Sequence, residues 1–372
     1  MDERMNIRCD SQLLIEAVGN VQRAVTPHSN IPALEGILLK ASGDSLYLAG
    51  YDLDMMGITT TIEAEVNKPG EIVLNAKLFG EIVRKLPDGI VILNCDEKKV
   101  TKIRCGSSEF AIAGISADDY PEIPSVDDGI SIVLQQDVLR GMIRQTLFCV
   151  AQVDAARPVH TGTLFELENG ELRLVSVDGS RLAMCTEKVN SAETLKFVVP
   201  GRTLSEVLKL LEDEKSPMSL VVGRRHVVLE IGGYAVISRL LDGEFLQYRR
   251  IIQQESSTEI VVKTRALIQG VDRASLVIND RMKSPLICDF GDQKIKITCT
   301  TQLGSASDSV PAQIDGVSEE MGFNSRYLLD ALKNTECDEV RIELNGPLSP
   351  MKIKPLDGDS FLFLVLPVRL KK

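Results

Sequence analysis

The sequence has few of the residues from which catalytic and metal sites are usually built. Its 372 residues include only three histidines, His28, His160 and His226, and none of them has the spacing of a metal-ligand pair. The chain has no Gly-x-x-x-x-Gly-Lys phosphate loop, no Gly-x-Gly-x-x-Gly fingerprint and no Gly-x-Ser-x-Gly elbow. An enzyme, a bound cofactor and a metal site therefore have no positive support in the sequence.

Long apolar runs are also missing. No run approaches the roughly 20 residues that a membrane-spanning helix needs. The first residues, Met-Asp-Glu-Arg-Met-Asn, lack the basic and apolar regions of a signal peptide. The eight cysteines include no Cys-x-x-Cys pair, and most lie inside apolar segments. We therefore expect a cytoplasmic protein, with no membrane contact, whose cysteines are reduced and buried.

What the chain does have is a long internal repeat. Pro32, Pro158 and Pro285 are spaced 126 and then 127 residues apart. A first amphipathic segment begins near Asp10, Gln136 and Lys263, and a second begins at positions 75, 201 and 324. A period of this length matches a whole domain, since solenoid repeats run to roughly 20–50 residues. Three copies of one domain suggest a curved or closed scaffold.

Each copy has the pattern of two helices and several short strands. In the first copy, Asp10 and Ser11 precede an apolar periodicity from Leu13 to Val21, which predicts an N-capped helix. Hairpin turns are predicted at positions 42–44, 168–170 and 291–292, and the second helix of the first copy is expected to end at Pro87. The sequence predicts an α+β fold with domains at 1–127, 128–254 and 255–372.

Positive charge is concentrated on the predicted helices. The chain has a net charge of −11, which alone would argue against nucleic-acid binding. The six segments 10–24, 75–86, 137–147, 201–211, 263–274 and 324–334 together carry +6, so the remaining residues carry −17. A basic helix surface within an acidic shell suits an anionic polymer held on one face by contacts without sequence preference.

One acidic pair keeps an enzymatic alternative open. Asp52 and Asp54 alternate with one residue between them, as carboxylates that bind a divalent metal in a nuclease can do. Asp178 occupies the equivalent position in the second copy, which favours a structural role at a strand end or turn. A metal-dependent DNA-processing enzyme is therefore retained as the alternative function.

Four segments of the chain resemble the beta subunit of bacterial DNA polymerase III, the sliding clamp family, and they occur in the same order and at the same spacing along the sequence as in that family. They begin at Val177 (VDGSRLA), Leu241 (LDGEFLQYRRI), Gly322 (GFNSRYLLDAL) and Leu366 (LPVRL). The resemblance covers essentially the whole chain. It implies three tandem copies of a DNA-clamp domain that close into a ring as a head-to-tail homodimer, with helices lining the hole and strands outside.

The resemblance also implies how the ring closes and what it surrounds. The predicted interface joins Phe110 and Ile112 of one copy to Leu276, Val277 and Ile278 of the other. Double-stranded DNA would pass through the hole without sequence readout. The predicted DNA-binding residues are Arg23, His28, Lys77, Arg140, Arg144, Gln152, Arg157, Arg202, Arg265 and Arg273.

A peptide pocket between the second and third domains is the last feature that the resemblance implies. The replicative polymerase, the clamp loader and repair proteins would each insert a short peptide motif there. The matching residues are His160, Val177, Gly179, Ser180, Arg181, Leu182, Leu246, Arg250, Ile251, Leu364, Val365, Leu366, Pro367, Val368 and Arg369. His160 stands where the family has an aliphatic wall, and Leu246 where proline is frequent. Lys371 and Lys372 extend the tail past the usual end.

Two functions compete with a topological processivity factor. The first is the metal-dependent enzyme with ligands at Asp52 and Asp54. The second is a peptide-docking scaffold that never encircles DNA. A nuclease assay separates the first alternative, and retention on circular DNA separates the second.

Overall fold

The computed structural model describes residues 3–154, 156–212, 214–253, 255–278 and 284–370. Lys371, Lys372 and Gln254, the last residue of the predicted second domain, lie outside these ranges. No helix in the described residues is long and apolar enough to cross a membrane. The α-helices are α1 (Ser11–Val21), α2 (Ala76–Val83), α3 (Gln136–Leu147), α4 (Gly201–Leu210), α5 (Tyr248–Ile252), α6 (Thr264–Ser275) and α7 (Ser325–Lys333).

Twenty-five strands account for most of the other described residues. The first copy has β1 (Glu3–Asp10), β2 (Gly36–Ser42), β3 (Ser45–Tyr51), β4 (Met56–Glu63), β5 (Glu65–Lys68), β6 (Gly70–Asn75), β7 (Ile90–Asp96), β8 (Val100–Cys105) and β9 (Ser108–Ile115). The second has β10 (Ile130–Gln135), β11 (Gly162–Glu168), β12 (Glu171–Val177), β13 (Arg181–Lys188), β14 (Leu195–Pro200), β15 (Pro217–Val222), β16 (His226–Ile231) and β17 (Tyr234–Arg239). The third has β18 (Thr258–Lys263), β19 (Leu286–Gly291), β20 (Lys294–Thr301), β21 (Gly304–Gly316), β22 (Glu319–Phe323), β23 (Glu339–Leu344), β24 (Met351–Lys354) and β25 (Phe361–Val365).

The element order repeats three times, as the sequence predicts. The second and third copies each run strand, α-helix, four strands, α-helix, three strands; the first copy adds β5 to this order, and the second is followed by the short α5. All of the hydrogen-bonded strand pairs among the described residues are antiparallel. The fold is therefore α+β, built from three copies of one arrangement of strands and two helices.

Local signals in the sequence explain where these elements begin and turn. The Asp10 carboxylate accepts the backbone N–H groups of Gln12 and Leu13, so it is the N-cap of α1. The predicted hairpins have their turns at residues with positive φ: Gly43 at +56°, Asn169 at +54° and Asp292 at +50°. The helix expected to reach Pro87 ends at Val83, and the chain continues in turns in which Lys85 and Leu86 donate to the carbonyls of Ile82 and Val83. Leu86 precedes Pro87, a position where helical geometry is disfavoured.

The chain forms two compact units, and neither corresponds to one copy of the repeat. The first unit comprises residues 1–137 and 202–240, and it contains a 13-stranded sheet in the order β10-β15-β16-β17-β4-β3-β2-β6-β9-β8-β7-β1-β5. The second unit comprises residues 138–201 and 241–372, and its 12-stranded sheet has the order β14-β11-β12-β13-β25-β24-β23-β18-β21-β20-β19-β22. Strands of the central copy therefore belong to both units.

Neighbouring copies are joined by strand pairing in the same way at both internal junctions. In the first unit, β4 pairs with β17 through five residue pairs, from Met56↔Ser238 to Thr60↔Tyr234. In the second unit, β13 pairs with β25 through five residue pairs, from Arg181↔Val365 to Cys185↔Phe361. We call these the first and second junctions. Each joins corresponding strands of consecutive copies, so one mode of association is used twice.

Candidate partner-binding and DNA-binding surfaces

An apolar cluster surrounds the second junction. Its members come from the short 3-10 helix Pro158–Thr161, from β11, β12, β13, β14 and β25, and from the segment that includes α5, all within the second unit. We call it the second-junction cluster, and its buried members are Val159, Leu164, Val175, Val177, Leu182, Met184, Val198, Phe245, Tyr248, Leu362 and Leu364. Leu241, Leu246, Ile251 and Ile252 pack against it while remaining partly exposed, so they form its accessible rim.

The alternation of side chains along two strands builds this cluster. Leu182 and Met184 project from one face of β13, and Leu362 and Leu364 project from the same face of β25. Leu182 is directly opposite Leu364 in the ladder, so their side chains are cross-strand neighbours. The intervening Ala183 and Phe363 belong to the separate core of the third copy. The second-junction cluster therefore lies on one face of the junction, and the third-copy core lies on the other.

Helix α5 is fixed beside the cluster by a polar anchor. The Tyr248 hydroxyl donates to Glu166 Oε2 at 2.5 Å, and Arg249 donates to Glu166 at 2.8 Å and to Glu168 at 3.0 Å. Burial alone would raise the pKa of Glu166, but the hydrogen bonds from Tyr248 and Arg249 outweigh it and the pKa is lowered. This anchor on β11 holds the partly exposed Ile251 against the cluster.

His160 lies behind the cluster and helps to order an adjacent loop. It is 4 % exposed, and its ring packs edge-on to Phe245 with centroids 5.7 Å apart. Its Nδ1 lies 3.3 Å from Asp154 Oδ2, while Asp154 Oδ1 accepts the N–H groups of Ala156 and Arg157. The hydrogen bond from the Arg157 N–H is the main reason that the pKa of Asp154 is lowered. His160 thus supports the loop and the cluster from a buried position.

Arg181 does not present a free charge to a ligand. Its Nε donates to Asp178 Oδ2 at 2.8 Å, and its Nη1 donates to Asp330 Oδ2 at 2.6 Å. The guanidinium also lies over the Tyr327 ring, 4.4 Å from its centroid. Burial alone would lower the pKa of Arg181, but the hydrogen bonds to Asp330 and Asp178 outweigh burial, and the pKa is raised. Arg181, predicted as a pocket residue, is therefore a strut between β13 and α7.

The C-terminal tail continues from β25 and is fastened at two points. The Leu366 N–H donates to the Ser180 carbonyl at 2.9 Å, and the Val368 N–H donates to the Gly322 carbonyl at 2.8 Å. Leu366 and Val368 are each 41 % exposed. Pro367, between them, is half-buried and Arg369 is exposed. The tail thus continues beyond the buried Leu362 and Leu364, held by these two hydrogen bonds.

The structure brings together part of the predicted pocket. Val177, Leu182, Leu246, Ile251 and Leu364 belong to the second-junction cluster. Gly179, at φ +86°, and Ser180 form the turn between β12 and β13, and Arg250 is exposed on α5. The prediction that Val365 lines the pocket is corrected, because its side chain lies in the third-copy core on the other face of β25. The sequence missed Val159, Phe245, Tyr248 and Leu362.

In the first unit, three of the predicted DNA-binding residues are exposed. These are His28, Lys77 and Arg202, whereas Arg23 is half-buried. The Arg202 guanidinium lies 3.7 Å from the Asp52 carboxylate, so part of its charge is neutralised within the chain. Lys77 is in the first turn of α2, behind the N-cap Asn75.

In the second unit, Arg144, Gln152, Arg157, Arg265 and Arg273 are exposed, and Arg140 is half-buried. Two of the arginines are paired with carboxylates. Arg144 lies 3.8 Å from Glu336, and Arg273 donates to Asp308 at 2.5 Å. The hydrogen bond to Asp308 raises the pKa of Arg273 and correspondingly lowers that of Asp308. Acidic neighbours therefore moderate the positive charge of these helices.

Asp52 has a structural role that accounts for its carboxylate. One oxygen, Oδ1, accepts the N–H groups of Met55 and Met56, both at 2.8 Å, and the other faces Arg202. Asp178 accepts the N–H groups of Ser180 and Arg181 in the same way, as its equivalence to Asp52 predicts. No group of three or more metal-ligating side chains occurs within the part of the chain that the structure describes. The metal-ligand alternative for Asp52 and Asp54 is therefore not favoured.

The predicted interface residues differ in their accessibility. Phe110 is 38 % exposed on β9, and Leu276 is 82 % exposed just after α6. Val277 and Ile278 are partly buried against the third-copy core, and Ile112 is only 7 % exposed. A charge at Ile112 would therefore disturb the fold of its own domain. Phe110 and Leu276 are the members that a second copy of the chain could reach.

Comparison with known proteins assigns the family. Models of the N-terminal, central and C-terminal domains of the DNA polymerase III beta subunit match residues 5–124, 133–247 and 249–369. The chain belongs to the DNA polymerase III beta subunit family. It consists of three tandem clamp domains, and the family is that of the non-catalytic sliding clamp of the replicative polymerase.

Individual members of the family agree over almost the whole length. The beta sliding clamp of Bacillus subtilis is 33 % identical, over 98 % of this chain and 100 % of that protein. The crystal structure of the DNA polymerase sliding clamp from Bacillus subtilis superposes with a TM-score of 0.96 at 32 % identity, covering 99 % of this chain and 100 % of the other. A sliding clamp from Pseudomonas aeruginosa bound to griselimycin has a TM-score of 0.92 at 27 % identity, covering 99 % and 100 %.

Proposed function

We propose that the chain closes head to tail with a second copy into a ring around duplex DNA and tethers replication and repair proteins to it. The observation that carries this proposal is the repeated junction. Two of the three copies already use the same pair of strands to join the next copy. A third use of the same strands requires a partner outside the chain.

The strands for this third junction have open edges. Residues 108–113 of β9 pair with β8, and the other ladder of β9, with β6, involves only Gly114 and Ile115. Residues 304–311 of β21 pair with β20, and its ladder with β18 begins at Ala312. β9 corresponds to β17 and β25, and the first part of β21 corresponds to β4 and β13. An unpaired edge is a ready template for another strand.

Joining β9 of one copy to β21 of another gives a heterologous interface. Such an interface produces either an open filament or a closed ring. The resemblance to the clamp family favours closure after two chains, which makes six similar domains. Phe110 on β9 and Leu276 near β21 are the exposed apolar residues suited to this contact. The mass of the chain in solution tests the proposal, since a ring of this kind requires a dimer.

Positive charge on the helices supports DNA as the occupant of the hole. Among the predicted DNA-binding residues, the exposed helical cations are Lys77, Arg144, Arg202, Arg265 and Arg273, and Arg157 is exposed in the loop after α3. Phosphate contacts of this type carry no sequence information and weaken with salt, so topology must provide the retention. The clamp should remain on circular DNA at high salt and leave linear DNA at its ends. Equal loss from both would contradict a ring and favour a scaffold that does not encircle DNA.

The second-junction cluster is the proposed docking site for partner proteins. Its partly exposed aliphatic rim suits the apolar anchors of an extended peptide, and the exposed Arg250 adds a positive edge. The polymerase, the clamp loader and repair proteins are the expected partners. Because a related clamp binds griselimycin, we propose the same ligand for this cluster. Ile251→Asp, at a partly exposed rim position, should abolish griselimycin binding in a fluorescence-polarisation titration, and undiminished affinity would count against the site.

A further inference from the structure

We propose that Gly322 is a positioning residue for the partner-binding pocket, because its missing side chain provides the place where the C-terminal tail docks. This inference rests on the proposed pocket function. Gly322 lies on β22, which pairs with β19 on one edge and receives the Val368 N–H on the other. The tail thus occupies the edge of a strand that belongs to the third copy.

The space beside Gly322 is filled by the tail. A Cβ atom added at Gly322 would lie 2.7 Å from Leu370 Cδ2 and 3.0 Å from the Val368 carbonyl oxygen. The distance of 2.7 Å to Leu370 Cδ2 is shorter than a van der Waals contact between two carbon atoms. Leu370 therefore packs where a side chain at position 322 would stand, so a larger residue there requires the Leu370 side chain to move and the Val368 carbonyl to shift.

Comparison of the three copies shows that this glycine departs from the repeat. Gly322 pairs with Ile287, and the corresponding pairs are Leu38↔Val73 and Leu164↔Val198. In the first two copies the valine is buried: Val73 lies in an apolar cluster of the first copy, and Val198 lies in the second-junction cluster. In the third copy the glycine leaves the space free, and the tail supplies the apolar side chain instead.

Docking at Gly322 bears on the pocket because the tail is held on both sides of Pro367. The Leu366 N–H is bonded to Ser180, and the Val368 N–H is bonded to Gly322. Proline fixes its own φ, so these two attachments determine the path of the intervening chain. Leu366 continues the apolar row of Leu362 and Leu364 on the cluster face. If the hydrogen bond between Val368 and Gly322 were lost, Leu366 and Pro367 would be held only by the bond between Leu366 and Ser180.

The test is a set of substitutions in the full-length chain, with labelled griselimycin as the probe. Gly322→Ala should weaken binding by about tenfold, which corresponds to about 1.4 kcal/mol. Gly141→Ala is the matched control, since nothing lies within 4 Å of a Cβ at that helical position. Hydrogen exchange at the Val368 amide should accelerate in Gly322→Ala and remain unchanged in the control.

A second variant separates tail docking from a general effect on β22. Leu370→Ala removes the side chain that the new methyl group would meet, so adding it to Gly322→Ala should recover most of the lost affinity. Absence of recovery, or equal griselimycin binding by the unchanged chain and Gly322→Ala, would overturn the inference alone. Failure of the unchanged chain to bind griselimycin would overturn the proposed pocket and the inference with it.

Discussion

Replacing Arg181 by alanine would remove the strut between β13 and α7. The guanidinium binds Asp178 and Asp330 and stacks on Tyr327, and its side chain is only 11 % exposed. Removing one partner of a buried ion pair costs about 3–5 kcal/mol, because the other charge is left uncompensated. Asp330 is 36 % exposed and can recover water, which places the cost near the lower limit, about 3 kcal/mol.

The loss is measurable as a lower midpoint of thermal unfolding. A change of about 3 kcal/mol corresponds to roughly 6–12 °C for a cooperative unit of 150–250 residues. Arg181→Lys keeps the charge but cannot reproduce the two-pronged contact, so it should recover only part of the loss. In an Asp330→Asn background the effect of Arg181→Ala should shrink, since the two residues share one interaction. Arg250→Ala, at an exposed position, should change stability by less than about 0.5 kcal/mol.

The same variants decide between the strut and the ligand-binding role that the sequence predicts for Arg181. A strut lowers the unfolding midpoint, and it affects griselimycin binding only through the position of β13. A direct ligand contact lowers affinity while the midpoint stays unchanged. An unchanged midpoint for Arg181→Ala, with at least about tenfold weaker binding, would refute the reasoning from the ion-pair geometry.

Three further predictions concern assembly, DNA and acid stability. Leu276→Asp should convert the dimer into monomers in sedimentation, whereas Leu348→Asp, at another largely exposed leucine, should leave the mass unchanged; a dimer in both would argue against the proposed interface. Asp308→Asn frees Arg273, so DNA binding to the closed ring should strengthen at low salt and the salt slope should steepen by up to about one. The pKa of Glu166 is lowered in the fold, so its stabilising effect is present above its ordinary value and is lost as pH falls through the lowered one. Glu166→Gln should remove that component of acid unfolding, and an identical acid transition would contradict the anchor.

The sequence was a good guide to the elements because their signals are local. The cap at Asp10 and the turns at Asn169 and Asp292 depend on residues within a few positions of each other. The repeat then carried each assignment from one copy to the next. The end of α2 differs from the prediction, since apolar periodicity continues to Leu86, whereas after Arg84 the backbone N–H groups bond to carbonyls three residues back.

The pocket was harder to predict, because a run of matching residues cannot all face one side of a strand. Leu364 faces the second-junction cluster, so Val365 must face the opposite core. For the same reason Leu182 points into the cluster while Arg181 reaches α7. Residues such as Phe245 come from a distant segment without periodicity, so only the folded chain brings them to the site.

The two internal junctions share one backbone arrangement but differ in how they are closed. At the first junction the equivalent of Val177 is Tyr51, and the equivalent of Leu182 is Gly57. A Cβ at Gly57 would lie 3.3 Å from the Tyr51 ring and 3.5 Å from Ile123, so side chains of the same copy already cover that strand.

Tyr120 completes this cover, since it is 9 % exposed and its hydroxyl donates to the Ala49 carbonyl at 3.3 Å. At the second junction, leucines on β13 and β25 are instead bordered by the partly exposed Leu246, Ile251 and Ile252. An aliphatic surface with an accessible rim can accept an apolar anchor, whereas a surface filled by the chain's own aromatic rings cannot. Since the repeat supplies both junctions with the same scaffold, these substitutions are what make the second junction the one suited to partners.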